Sequence, residues 1–324
     1  MDTKPVVSVM MPVFNAGGFV EQAAGSILGQ TMRDLELIVI DDGSTDVSAM
    51  ILRRLAVEDR RVRFLSRKNE GIVATRNQVL SMARADLVAC MDADDISHPQ
   101  RLARQVRYMK EHPECVALGS AIVVVDPEGQ PIKAPPVALT HAEIDAQLLC
   151  GYGWALVQPS AMMRRDAVEK IGGYRAKYDL VEDLDLFLRL AEVGSLANLP
   201  EPLLRFRQHF QSTCVTHASE QTDLKVEVVR ETYLRRGLPV PEPLVLPKET
   251  RLTGCAQHLS WASFALGQGK FRQAARHLQN ALRTVPKSPH ETWELAHSLV
   301  DASRAAWQRR RAFSRLPKPH AQIS

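Results

Sequence analysis

The sequence lacks a glycine-rich phosphate loop. No G-x-G-x-x-G follows the first apolar run and no G-x-x-x-x-G-K occurs, which counts against a Rossmann dehydrogenase and a P-loop NTPase. Cysteine is sparse and unpatterned: Cys90, Cys115, Cys150, Cys214 and Cys255 form no C-x-x-C pair. An odd, scattered set fits reduced thiols in a cytosolic protein better than a disulfide framework or a zinc site. Long apolar runs are missing as well. Leu35 to Ile40 and Ala121 to Val125 fall far short of the roughly 20 residues that a membrane-spanning helix needs, and Asp2 and Lys4 precede only a short strand-like run, not a secretory signal. With 324 residues, 45% hydrophobic and 24% charged, and no low-complexity run, the chain is globular, with one large domain or a large one and a small companion.

Charge is unevenly spread. The net +4 combines about +9 from Arg251 onward with about −5 before it. A basic tail can meet anionic lipid or nucleic acid, but a set of solvated helix faces is the simpler reading, and no nucleic-acid partner is expected.

The first hundred residues alternate β-branched runs with helical spacing. Val6 to Met11, Glu36 to Ile40 and Asp86 to Met91 read as strands, with helices over Phe19 to Gln30 and Val47 to Asp59. That alternation predicts βαβ units and a parallel sheet covered on both faces. Ligands of such sheets bind beyond the carboxyl ends of the strands. Those ends carry Pro12-Val13-Phe14-Asn15, Asp41-Asp42-Gly43-Ser44-Thr45-Asp46 and Asp92-Ala93-Asp94-Asp95. Acidic clusters at neighbouring strand ends repel one another unless a cation or a hydrogen-bonding ligand compensates them. Asp46 and Asp95 also suit helix caps. His98-Pro99 opens a further helix that runs to about Glu111.

These segments, with Gln30-Thr31, Asn69-Glu70-Gly71, Arg76-Asn77, Gln158-Pro159-Ser160, Ile171-Gly172-Gly173-Tyr174, Glu182-Asp183-Leu184-Asp185-Leu186 with Arg189, and Phe206-Arg207-Gln208-His209, resemble in order and spacing the inverting family 2 glycosyltransferases. The match covers about residues 5 to 215. It implies a GT-A fold, an α/β, Rossmann-like, mostly parallel sheet flanked by helices, over 1–217, followed by an all-α extension over 218–324. It also implies transfer of a sugar, with inversion, from a nucleotide-diphosphate sugar, most simply a UDP-sugar, to a saccharide or lipid-linked saccharide, as in cell-surface polysaccharide synthesis. The rival is a non-catalytic nucleotide-sugar-binding scaffold whose helical tail recruits partners.

The resemblance also implies roles. Pro12, Val13, Phe14 and Asn15 lie along the nucleotide base, and Asp42 accepts a hydrogen bond from a base N–H. Gly71 and Ala93 belong to the donor site. Asp92 contacts ribose or the water shell of a metal, and Asp94 ligates Mg²⁺ or Mn²⁺, since hard divalent ions prefer oxygen ligands. Arg76 either meets phosphate or locks the acidic cluster by an ion pair. Asp183 is the base that takes the acceptor's proton. His209 either completes the metal shell or donates to phosphate. Glu182, Asp185 and Arg189 read as structural. Gly151-Tyr152-Gly153-Trp154 could form an aromatic loop over the acceptor, or Trp154 could be core.

After about His217 the pattern turns helical. Gly269-Lys270-Phe271, Ala274, Ala281-Leu282 and Pro286, with Ala262 earlier, match part of one tetratricopeptide repeat. A single copy points to an appendage that packs on the catalytic domain or pairs two chains as a homodimer, not to an independent solenoid. The expected location is the cytoplasm; Trp307, Arg309-Arg310-Arg311, Phe313, Arg315 and Lys318 could sit on an anionic membrane, which would place the protein peripherally at the inner membrane face, and a solvated end is the alternative.

Overall fold

The computed structural model describes residues 4–209, 218–246 and 254–284. Pro286, Cys214 and the basic segment from Trp307 lie outside the described residues.

Strand β1 (Val7–Val13) sits at the centre because it is apolar on both faces. It pairs in parallel with β2 (Leu35–Asp42) and β4 (Leu87–Cys90), and β2 pairs in parallel with β3 (Val62–Arg67). Beyond β4 the sheet is mixed. β8 (Met162–Arg164) runs antiparallel to both β4 and β6 (Cys115–Val125), β6 is parallel to β9 (Ser195–Arg207), and β5 (Ile96–Ser97) closes the order β3-β2-β1-β4-β8-β6-β9-β5, with β7 (Pro131–Lys133) beside β6. The continuous parallel part is thus the first four strands, where βαβ crossovers operate.

Side-chain alternation divides the core into two layers. Met10, Ile38 and Ile40 point to one layer, and Val9, Met11, Leu37 and Val39 to the other. The first layer is covered by α3 (Ile72–Met82) and α7 (Glu182–Leu190), the second by α1 (Val20–Leu28) and α4 (Arg101–Glu111). In α7, Leu184, Phe187 and Leu188 are fully buried, each worth about 1.5–3 kcal/mol. The remaining helices are α2 (Ser48–Glu58), α5 (His141–Leu149), α6 (Arg165–Lys170), α8 (Ala218–Arg235), α9 (Gly254–Gly267) and α10 (Phe271–Arg283). Val228 and Val229 of α8 join the first layer and Trp261 of α9 the second, so the helices after residue 217 share the core of the sheet. Ala262, Ala265, Ala274 and Ala281 are buried in the α9–α10 pair, where small side chains allow close helix approach. None of the described helices is long and apolar enough to cross a membrane.

Candidate active site

The carboxyl ends of β1, β2 and β4 meet, as Met91 N–H donates to the Met10 carbonyl at 3.0 Å. Around them the loops are sewn together. Asn15, held at φ 49°, donates from its N–H to Ser44 Oγ at 2.9 Å, and its Oδ1 accepts from Thr45 N–H at 2.8 Å. Asp46 accepts from Gly17 and Ser48 N–H groups, so it pins the start of α2. Val13 is buried and Phe14 is 53% exposed, leaving an aromatic face at the strand end.

Asp42 is buried at the end of β2. Oδ1 accepts from Arg67 Nε at 2.9 Å and Glu70 N–H at 3.1 Å, and Oδ2 accepts from Gly71 N–H at 2.9 Å. Three of about four acceptor positions are therefore spent on its own protein, leaving one. Gly43 (φ 78°) permits this approach, for a Cβ there would lie 2.7 Å from the Asn69 nitrogen.

The acidic loop after β4 divides its carboxylates. Asp92 lies 3.5 Å from Arg76 Nη2; burial, helped by Asp94 and Asp183 and opposed by Arg76, pushes its pKa up to about 6. Asp94 Oδ2 is 2.9 Å from His209 Nε2, whose ring stacks on Phe19 at 5.3 Å. Asp95 does not cap α4. It is buried, Oδ1 accepts from Arg207 N–H at 2.7 Å, and burial holds its carboxyl well above the usual range. Ala93 is buried between them. Beneath the loop, the fully buried Arg101 donates to the carbonyls of Pro159 at 2.5 Å and Cys90 at 2.9 Å, and burial pulls its pKa down to about 10.

Asp183 enters from α7. Its Oδ1 accepts from Leu184 N–H at 2.7 Å, and a Cβ on Gly153 would stand 3.9 Å from Oδ2. Burial pushes its pKa up, against Arg76, the Leu184 hydrogen bond and Lys225. Arg76 donates to Glu182 and Asp92 and lies 5.7 Å from the Tyr174 ring centroid; Glu182 and Asp92 hold it charged against the cost of burial. These contacts are the ion pairs of one of its two expected roles. Asp185 pairs with Arg175 and Arg189, and Arg189 also donates to the carbonyls of Ile171 and Gly173, as structural residues do. Trp154 packs edge-on against Phe206 at 5.3 Å with Lys133 5.8 Å over its ring, at the margin of the second core layer.

Among the described residues no three His, Cys, Asp or Glu side chains converge into a metal cage. Asp94 with His209 nonetheless fits a divalent ion that takes one carboxylate, one imidazole and oxygens from phosphate and water, the donor set expected of a substrate-completed site.

The sequence profile of Glycosyl transferase family 2 matches residues 8–172, just over half of the chain. The chain belongs to glycosyl transferase family 2. Among its relatives, the putative glycosyltransferase EpsE of Bacillus subtilis is 29% identical over 256 residues, covering 76% of this chain and 89% of that one. The chondroitin synthase of Escherichia coli is 25% identical over 237 residues, covering 72% of this chain and 33% of that one. The solved structure of S. aureus TarS 1-349 in complex with UDP-GlcNAc superposes with a TM-score of 0.58 at 14% identity, covering 92% of this chain and 88% of that one; it shares the GT-A fold.

Two residues of this family 2 transferase carry more than their sequence context indicates. Arg67 faces Asp42 directly in the β2–β3 register and also reaches Glu70, Thr75 and Gln78. Arg207, next to last before His209, donates through Nε to the Asp94 carbonyl at 2.6 Å and through Nη2 to Gln22 at 2.7 Å. The sequence signal for Arg67 is a lone arginine at a strand end, and that for Arg207 is its place in the Phe206-Arg207-Gln208-His209 segment, which names none of its partners.

Proposed function

We propose that this family 2 glycosyltransferase moves a sugar with inversion from a UDP-sugar to a saccharide or lipid-linked saccharide, with Asp183 as base. The observation that carries the reading is the bridge that Arg76 makes between Asp92 and Glu182, which brings the start of α7, and with it Asp183, to the acidic loop, where Asp94 and Asp183 add to burial in raising Asp92's hold on its proton. A donor site and a candidate base then face the same space. TarS, known with UDP-GlcNAc, supports a UDP-sugar, and the chondroitin synthase supports a growing polysaccharide as acceptor in cell-surface synthesis.

In this reading Phe14 lies on the base and Pro12, Val13 and Asn15 shape its slot. Asp42 accepts the base N–H with its remaining lone pair, while Gly71 and Ala93 keep the walls close. Asp92 accepts from the ribose. Asp94 and His209 would hold Mn²⁺ or Mg²⁺, which when bound neutralises diphosphate charge and makes UDP a better leaving group. Asp183 takes the proton of the acceptor hydroxyl as that oxygen bonds to the anomeric carbon from the face opposite the leaving phosphate; the carbon–phosphate-oxygen bond breaks and the proton later passes to water. A single displacement of this kind inverts the centre. Titration of UDP with and without Mn²⁺ tests the donor side: Mn²⁺ should tighten binding, and an absence of any metal effect with UDP, GDP and dTDP alike would sink it.

A further inference from the structure

We propose that Arg276, with His277 beside it, is a positioning residue for the donor site: it fixes the turn at Asp126 against Arg207 and so sets where Asp94 presents its carboxylate. The proposal rests on the reading of Asp94 as a metal ligand.

The turn begins where β6 ends. Asp126 accepts from Gly129 N–H through its carbonyl at 2.9 Å and from Gln130 N–H through Oδ1 at 2.7 Å, so one carboxylate oxygen closes the turn. The other faces α10. Arg276 Nη2 donates to Oδ2, and His277 Nε2 lies 3.2 Å from the same atom. Gln273, one turn earlier on the same helix face, donates to the Pro131 carbonyl at 2.9 Å. Asp126 is wholly buried, and burial pushes its carboxyl toward the protonated form against the pull of Arg276. A buried carboxylate stripped of its cation is strongly destabilised.

On the far side of that turn stands Arg207, itself buried. Its Nη1 donates to the Pro127 carbonyl and lies 3.5 Å from the Asp126 carbonyl, and its guanidinium covers the Phe19 ring at 4.8 Å. Two further donors hold the acidic loop: Nε reaches the Asp94 carbonyl, and its backbone N–H reaches Asp95 Oδ1. Every link from α10 to Asp94 is a hydrogen bond or a covalent turn. A shift of the Asp126 turn therefore moves the arginine that holds the Asp94 carbonyl and the Asp95 carboxylate. Hydrogen-bond partners of metal ligands commonly change metal affinity by about 10–100-fold, and Arg207, through which Arg276 acts, is such a partner of Asp94.

The test uses the full chain, titrating UDP by calorimetry in EDTA and in Mn²⁺, for wild type, Arg276→Ala, Arg276→Lys and Asp94→Ala. Arg276→Ala should keep UDP affinity in EDTA while losing at least about tenfold of the Mn²⁺ enhancement, and Arg276→Lys, still cationic toward Asp126, should recover part of it. If Asp94→Ala abolishes the enhancement but Arg276→Ala keeps it, the positioning role is overturned. A lower melting temperature is expected of Arg276→Ala, but a loss of UDP affinity in EDTA as large as the loss in Mn²⁺ would make the residue merely structural and overturn the proposal too. If Asp94→Ala itself retains the enhancement, the metal reading has failed and the proposal falls with it.

Discussion

Arg76 donates from α3 to Glu182 at the start of α7, joining residues 106 apart in sequence and placing the helix that carries Asp183 against the loop that carries Asp92. Both partners are nearly buried, with side chains 11% and 10% exposed. Breaking such a pair from one side costs far more than the pair contributes, because the survivor is left charged and dry. Arg76→Met should lower unfolding free energy by about 3–5 kcal/mol in urea denaturation, and adding Glu182→Gln should recover part of that loss. Purely additive effects of the two changes would contradict the coupling.

The base carries a pH signature. Burial raises the Asp183 pKa, so its folded form holds a proton more tightly than the unfolded chain does. Its contribution to stability is thus fully present below about 3.9, the ordinary aspartate value, and is lost as pH rises through the folded pKa. For activity the sign reverses, since the base must be ionised. The acidic limb of kcat/KM should fall above the usual aspartate range, and Arg76→Met, which removes the cation that opposes burial, should move it to higher pH. A limb unmoved by that substitution would separate Asp183 from the titrating group.

Much of this site is legible in the sequence because the central strands are near-continuous apolar runs whose ends are abruptly polar. Val7 to Val13 and Leu35 to Asp42 are buried on both faces, and the end of the second shows as a change from Val and Ile to Asp, that of the first at Asn15. The outer strands are harder to see. β9 contains Pro200 and Pro202, which ordinarily argue against a strand, and it survives through register shifts opposite Ser120 and Ala121. Partnerships across the sheet are harder still. Arg67 meets Asp42 only because β2 and β3 align those residues, and Asp95, which suits a helix cap by position, is instead taken by the Arg207 backbone. The Phe206-Arg207-Gln208-His209 segment marks Arg207 but not its contacts, since its partners are a glutamine, backbone carbonyls and a ring supplied by three separate segments.

Gly43 is a third test. A side chain there meets the Asn69 nitrogen at 2.7 Å in a backbone region that disfavours it, so Gly43→Ala should displace the 69–71 loop whose N–H groups hold Asp42. A stability loss of about 1–3 kcal/mol, together with weaker metal-free UDP binding, is expected from denaturation and calorimetry. Loss of stability with unchanged UDP affinity would detach Asp42 from the nucleotide.

On the acceptor side, Gly153 leaves open the space before Asp183 Oδ2. Gly153→Val should crowd the approaching hydroxyl and lower kcat/KM for the acceptor by at least about tenfold without altering UDP affinity. Steady-state kinetics with varied acceptor would show it, and an unchanged acceptor kcat/KM would place the acceptor elsewhere.

The central claim is that Asp183 is the base of a sugar transfer, and Asp183→Asn tests it most directly because the amide keeps the shape and the Leu184 hydrogen bond but cannot take a proton. The account predicts wild-type UDP affinity in Mn²⁺ together with loss of sugar transfer to acceptor. Transfer that persists near the wild-type rate would contradict it.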